Sequence, residues 1–471
     1  MVFSSLTFLC LFLPVVVLLH TFLPNGRMRN AILLVASLLF YAWGEPVWIV
    51  AMLFATAVNY ICARIIDRTE SKAGRRAALV IGLCISLAAL LYFKYAAFLV
   101  NSVCALFGLA FRLAQPKLPI GISFYTFQII TYTVDVYRKD APVQKNPLDL
   151  LLYVCLFPQL IAGPIVRYGD VAAQLQKRTV GPKELGDGFV RFAIGLGKKV
   201  LLANLCGEVL ESLPGSDALS FAGAWLAAVL FALQLYFDFA GYSDMAIGLG
   251  RMLGFRFLEN FDAPYVSRSV AEFWRRWHIS LGSFFREYVY IPLGGNRVSR
   301  PRWILNMAVV WGLTGIWHGA NWNFLLWGLY FGVWMVLERT VLKSALEHTP
   351  RVLQHIGTLL VVLVGFVLFR HEAFTDIGAN LKAMFAPWIV PLWDAHTVYA
   401  VKSNPVLLTA ALVCCLPLRK TVEAWWEKRK DSRLYVVLRP VCRAVVSLLL
   451  IGVSLLFLIG QSFNPFLYFR F

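Results

Sequence analysis

Met307-Ala-Val-Val-Trp-Gly-Leu-Thr-Gly-Ile-Trp-His-Gly-Ala-Asn-Trp322 begins as an apolar helix suited to lipid and ends on a histidine, His318, with the small residues Gly319 and Ala320 and the amide of Asn321 directly behind it. An imidazole set in lipid-soluble sequence is expensive to keep without a partner, so it marks a functional site. A second one, His278, closes the run Glu272-Phe-Trp-Arg-Arg-Trp-His278 upstream. The two lie in the part of the chain where polar and charged residues crowd into otherwise apolar sequence.

Around that centre the composition sets the class. The chain has 471 residues, 59% of them hydrophobic and 15% charged, with a mean hydropathy of +0.68; a soluble domain carries roughly 25% charged residues. Apolar runs recur from Leu6–Leu23 through Val47–Ile61, Ala78–Tyr92, Trp225–Phe239 and Ile356–Phe369 to Val445–Ile459. A membrane crossing needs about 20 such residues, and several runs are shorter, so the reading is an all-α polytopic membrane protein of about ten to twelve spans with some broken or re-entrant helices. No stretch is large enough for a separate soluble domain. Residues 1–471 are therefore read as one domain, with its catalytic centre at about 237–323.

Leu6–Leu23 lacks a preceding basic residue and a small-residue cleavage site, and is expected to be retained as a helix. Arg27 and Arg29 follow it, and with the basic tract Arg419–Arg443 they are expected on the cytoplasmic side. The net charge of +18 is spread over short loops between apolar runs. That pattern is loop bias with attraction to anionic headgroups, not a nucleic-acid face. The nine cysteines show no Cys-x-x-Cys spacing and none lies near either motif histidine, so no metal site or disulfide frame is expected. His20, His348, His355, His371 and His396 are expected at solvated or interfacial positions.

Three carboxylates belong to the polar centre, Asp135, Asp238 and Asp244, and are expected to pair with Arg or a helix end. From Ser267 to Leu293 a single helix would place Phe273, Trp277, Leu281 and Phe284 on one side and Arg275, Arg276, Arg286 and Glu287 away from it, the pattern of a helix lying in the interface. Trp274, Arg275 and Arg276 concentrate more aromatic and guanidinium chemistry than anchoring requires. Paired guanidiniums bind phosphate or carboxylate through forked hydrogen bonds, which suits an anionic donor such as a phosphopantetheine or nucleotide end.

These residues also fall into ordered motifs. Phe237-Asp-Phe-Ala-Gly-Tyr-Ser-Asp-Met-Ala-Ile-Gly248, Asn260-Phe-Asp-Ala-Pro-Tyr265, Glu272-Phe-Trp-Arg-Arg-Trp-His-Ile-Ser-Leu281, Tyr290-Ile-Pro-Leu-Gly-Gly-Asn296 and Gly315-Ile-Trp-His-Gly-Ala-Asn-Trp322 together resemble the membrane-bound O-acyltransferase (MBOAT) superfamily, and within it the bacterial alginate O-acetyltransferase-like branch. Gly121–Gln128, Phe157–Pro164 and the tail Asn464–Phe471 fit the same pattern. The resemblance implies membrane helices ringed around a thinned centre, with funnels from both faces meeting at the histidine. It implies that His318 matches the catalytic histidine and His278 a second functional one.

The implied reaction moves acetyl from a thioester, acetyl-CoA or an acyl carrier protein, to a hydroxyl, and needs no permanently bound cofactor and no metal. A neutral imidazole near its unperturbed pKa of about 6.5 suits removal of the hydroxyl proton. Asn321, the Trp317 indole N–H and His278 are the alternatives for stabilising the oxyanion, and Trp274, Arg275 and Arg276 would hold the donor. The resemblance further implies an inner-membrane enzyme that passes acetyl outward to alginate, a cellulose-like polymer or peptidoglycan, commonly with an extracytoplasmic SGNH-type acetyltransferase partner. Two other readings stand beside it: D-alanyl transfer to teichoic acid from a carrier-protein thioester, and transport of a lipid-linked sugar or ion.

Overall fold

A computed structural model describes residues 1–23, 26–161, 163–460 and 466–467. Ala162 of the Phe157–Pro164 motif, and the tail motif Asn464–Phe471 apart from Phe466 and Leu467, lie outside the described residues. Every regular element among those described is helical. Five helical stretches are long and apolar enough to cross a membrane: Ile49–Arg68, Lys72–Leu106, Phe221–Met252, Arg351–Arg370 and Tyr435–Gly460. A sixth is counted if Ala395–Ser403 and Pro405–Cys414, bent by 70°, form one broken span. By that measure the described residues hold fewer spans than the ten to twelve expected; Arg300–His318, which carries Trp, Asn, Arg and His along its apolar run, does not meet it.

The described chain divides into two compact units, residues 1–192 with 242–258, and residues 193–241 with 259–471. In the first, α1 (Ile49–Arg68), α2 (Lys72–Leu90) and α3 (Ile122–Arg138) pack together. With lipid as solvent, apolar burial alone gives neighbouring helices little reason to associate, and polar clasps between them fix the register. Asn59 supplies one. Its Nδ2 donates to Ser86 Oγ on α2 at 2.8 Å, and its Oδ1 accepts from Thr133 Oγ1 on α3 at 2.8 Å. Ser86 and Thr133 retain their own carbonyl acceptors, Gly82 and Ile129. Asn59→Ala is therefore expected to cost only about 1–2 kcal/mol, seen as a lowered Tm in detergent with acetyl transfer preserved at growth temperature.

Two expectations about polar residues meet different fates in this unit. Asp244 pairs with Arg191 at 2.5 Å, as a carboxylate beside apolar sequence should. His20 is not interfacial: it is fully buried, with its Nε2 3.3 Å from Arg178 Nη2, whose Nη1 donates to Asn30. That polar node joins residues more than a hundred positions apart, and nothing in the local sequence of His20 announces it. Among the cysteines, Cys62, Cys104 and Cys155 are buried packing residues here, whereas Cys84 is exposed on an apolar helix.

The second unit holds α4 (Phe221–Met252) as far as Gly241, then α5 (Val270–Arg276), α6 (Ile279–Phe285), α7 (Arg300–His318), α8 (Trp322–Arg339) and α9 (Arg351–Arg370). The single interfacial helix expected over Ser267–Leu293 is replaced by two short ones. The break is at His278, whose φ of +46° and ψ of 53° lie in the left-handed region. The sidedness survives: Phe273, Trp277, Leu281 and Phe284 are all buried while Arg275 and Arg286 are exposed. The start of α5 is anchored twice. Ser269 Oγ accepts from the Glu272 N–H, and the Glu338 carboxylate of α8 accepts from the Val270 and Ala271 N–H groups at 2.6 and 2.9 Å. A carboxylate on free amides at a helix N-terminus is stabilised by both hydrogen bonding and the helix dipole.

α7 and α8 form an antiparallel hairpin joined by Gly319–Asn321. A Cβ on Gly315 would strike the Phe324 carbonyl, and one on Gly328 would strike the Trp311 carbonyl and sit 2.9 Å from Gly315 Cα. The two backbones touch at these glycines, so His318 at the end of α7 is held rigidly over the first turns of α8. Asp238, on α4, forms a buried ion pair with Lys199 at 2.5 Å and also accepts from the Leu467 N–H at 2.8 Å. Its partner is lysine instead of the arginine or helix end anticipated.

Candidate active site

His318 is 5% exposed and sits in an aromatic box. Its ring lies edge-on to Trp327 of α8 at 4.9 Å and to Phe369 at the end of α9 at 5.3 Å, with the neighbouring Trp317 ring 5.0 Å away. Asn323 Nδ2 donates to the Leu368 and Phe369 carbonyls at 3.3 and 3.5 Å and so ties the end of α9 to the box. Gly319 must be small because the Phe324 ring fills the place its Cβ would take.

His278 joins the same neighbourhood through Trp317. Its ring is 5.8 Å from the Trp317 indole and 4.6 Å, perpendicular, from Phe239 of α4. Asn260 organises the break on which it sits. Asn260 Oδ1 accepts from the Ser280 N–H at 3.2 Å and the Ser280 hydroxyl at 2.9 Å, and its backbone carbonyl accepts from the Ile279 N–H at 3.0 Å. Because a backbone N–H points at that side-chain atom, it is the amide oxygen, and His278 Nδ1, 3.1 Å away, must donate to it. The imidazole is then the Nδ1–H tautomer with its lone pair on Nε2. Burial pushes its pKa down to about 3, which keeps it neutral at physiological pH.

Asn260 was quoted within a motif but carried no role in the sequence reading; the signal was its place ahead of a histidine, which only the fold connects. Asn260→Ala strips one acceptor from three donors at once. The expected result is a loss of about 1–3 kcal/mol, measured as a lower Tm, together with reduced acetyl transfer as His278 loses its fixed tautomer.

The remaining predicted residues separate. Trp317 is buried between the two imidazoles. Asn321 caps α8, its Oδ1 accepting from the Trp322 N–H at 2.6 Å. Trp274 packs into the box wall, 5.0 Å from Trp311, 5.4 Å from Trp327 and 4.8 Å from Phe331. Arg275 is exposed. Arg276 is committed to the protein, donating to Glu272 Oε1 at 2.8 Å and to the Asp262 carbonyl at 3.1 Å. The structure thus gathers His318, His278, Trp317 and Trp274 into one aromatic assembly and leaves the two guanidiniums outside it. A buried pair of imidazoles walled by aromatic rings is suited to moving a proton during group transfer, because bulk water is kept from the reacting groups.

Residues 138–367 match the model of the MBOAT, membrane-bound O-acyltransferase family. Over the full length of both chains the sequence is 38% identical to the protein named "Probable alginate O-acetylase AlgI" from Azotobacter vinelandii. It is 29% identical to the peptidoglycan O-acetyltransferase of Helicobacter pylori, over 100% of this chain and 98% of that one. Similarity to the teichoic acid D-alanyltransferase of Bacillus subtilis is 32% identity over 54% of this chain and 69% of that one.

Proposed function

The chain belongs to the membrane-bound O-acyltransferase family and is an acyltransferase, and on that premise we propose that it acetylates hydroxyls of an extracytoplasmic polysaccharide, taking acetyl from a cytoplasmic thioester. The observation that carries the reading is His318 itself: a buried imidazole fixed by backbone contact between two helices and enclosed by aromatic rings. The names of the full-length relatives, an alginate O-acetylase and a peptidoglycan O-acetyltransferase, support acetyl as the group and a cell-envelope polymer as its destination.

In the proposed step the acceptor oxygen attacks the thioester carbonyl carbon while His318 takes the hydroxyl proton. The tetrahedral intermediate collapses with loss of the thiolate, which recovers the proton from the imidazolium, so ester and thiol leave and the imidazole is neutral again. His278 holds a neighbouring part of the reacting groups through Nε2. The thioester is acetyl-CoA or an acetylated carrier protein, and the first acceptor is the sugar or a serine of an extracytoplasmic SGNH-type partner. D-alanyl transfer has less support, since its relative matches about half of this chain.

The test is ester-linked acetate on isolated surface polysaccharide from cells with and without the chain in the inner membrane. Acetate that depends on the chain is the expected result. Unchanged acetate, with D-alanyl ester lost instead, would replace the acetyl reading with the D-alanyl one.

A further inference from the structure

Two indole N–H groups in the aromatic box have no hydrogen-bond acceptor among the described residues, those of Trp327 and Trp274. Trp327 is 1% exposed and heads the fully buried large side chains. It is surrounded by the rings of Trp274, His318, Phe331 and Phe369, at 5.4, 4.9, 5.5 and 5.2 Å. A phenylalanine would fill such a wall without a stranded donor, and a buried tryptophan N–H ordinarily finds a partner. A donor kept in a buried site, in ring contact with an imidazole, is what a developing oxyanion needs: it is in place beforehand and is strengthened by burial.

Of the other candidate donors, Asn321 stands at the exposed start of α8, which it caps, and His278 donates its Nδ1–H to Asn260. We propose that the Trp327 indole N–H donates to the acyl carbonyl oxygen of the thioester and holds the oxyanion as the carbonyl π pair moves onto it, with the Trp274 N–H as the second donor of the same wall. The inference rests on His318 being the base. The attacking oxygen's proton goes to His318, the oxyanion pair reforms the carbonyl as the carbon–sulfur bond breaks, and the indole itself exchanges no proton.

The test replaces Trp327 by Phe and, by codon reassignment, by benzothienylalanine, which keeps the bicyclic shape and puts sulfur in place of N–H. Each full-length variant is expressed in place of the parent. Incorporation of labelled acetate into the cells' own surface polysaccharide is then measured per unit of inserted protein, with Tm in detergent alongside. The expected result is that both variants accumulate and melt like the parent while incorporation falls roughly 10²–10³-fold. The proposal is overturned if the benzothienylalanine protein keeps incorporation within about threefold of the parent, a wide margin below that expected loss, whatever the Phe variant does. It is also overturned if that protein fails to accumulate or melts lower, because the N–H is then structural. A parallel His318→Gln variant separates the two readings: if it stays active the base assignment falls, and the Trp327 result is judged by itself.

Discussion

His318→Gln is expected to slow acetyl transfer by roughly 10²–10⁴-fold, the range over which a positioned general base contributes. Glutamine approximates the width of imidazole and can still hydrogen-bond, but cannot take a proton. The side chain is walled by Trp327, Phe369 and Trp317, and its position is set by the glycine contacts below it. The variant should therefore insert and melt like the parent. His278→Gln is expected to lose less activity and more stability, because His278 Nδ1 is part of the Asn260 node that shapes the break between α5 and α6. Acetate incorporation per unit of membrane protein, with Tm for each variant, distinguishes the roles; equal activity losses with equal Tm would remove the distinction between base and positioning group.

Gly328→Ala should be as damaging although it lies two turns into α8 and touches no substrate. Its new methyl meets the Trp311 carbonyl and the Gly315 backbone, atoms that cannot turn aside as a side chain can. The hairpin must open, at a cost on the order of 1–3 kcal/mol for overpacking, and His318 then shifts against Trp327. A displacement of about 1 Å at a reacting group costs on the order of 10²-fold in rate. Gly312→Ala, one turn before Gly315 on the same helix, is the control. Its methyl would meet only the Leu325 and Leu329 side-chain ends at 3.7 and 3.9 Å, ordinary van der Waals contact. Acetate incorporation should survive Gly312→Ala and collapse in Gly328→Ala. Similar activity in the two variants would show that close backbone contact does not hold the site.

Much of this protein is legible in one dimension because of the solvent it folds in. Lipid demands apolar helices with internally satisfied backbones, so composition alone identifies a helical membrane protein, and any titratable residue left in such sequence is conspicuous. His318 and His278 are visible for that reason, and the ordered motifs around them make the chemistry nameable. Periodicity was less reliable at Ser267–Leu293. The apolar face was read correctly, yet the helix breaks at His278, because Asn260, eighteen residues upstream, binds the Ser280 amide and outweighs continuation of the helix. His20 fails the same way: its partner Arg178 is 158 residues distant.

By itself, then, the sequence determined the class, the family and the two imidazoles, since each is written in residue type and order. Tertiary structure alone decided which groups share a site. Arg276 pairs with Glu272, Asn260 is the acceptor that fixes a tautomer, and Trp327, unremarked in the chain, lies against His318. The physical reason is that hydrogen bonds and ring contacts depend on distances of a few ångströms between residues whose separation along the chain says nothing about where packing will bring them.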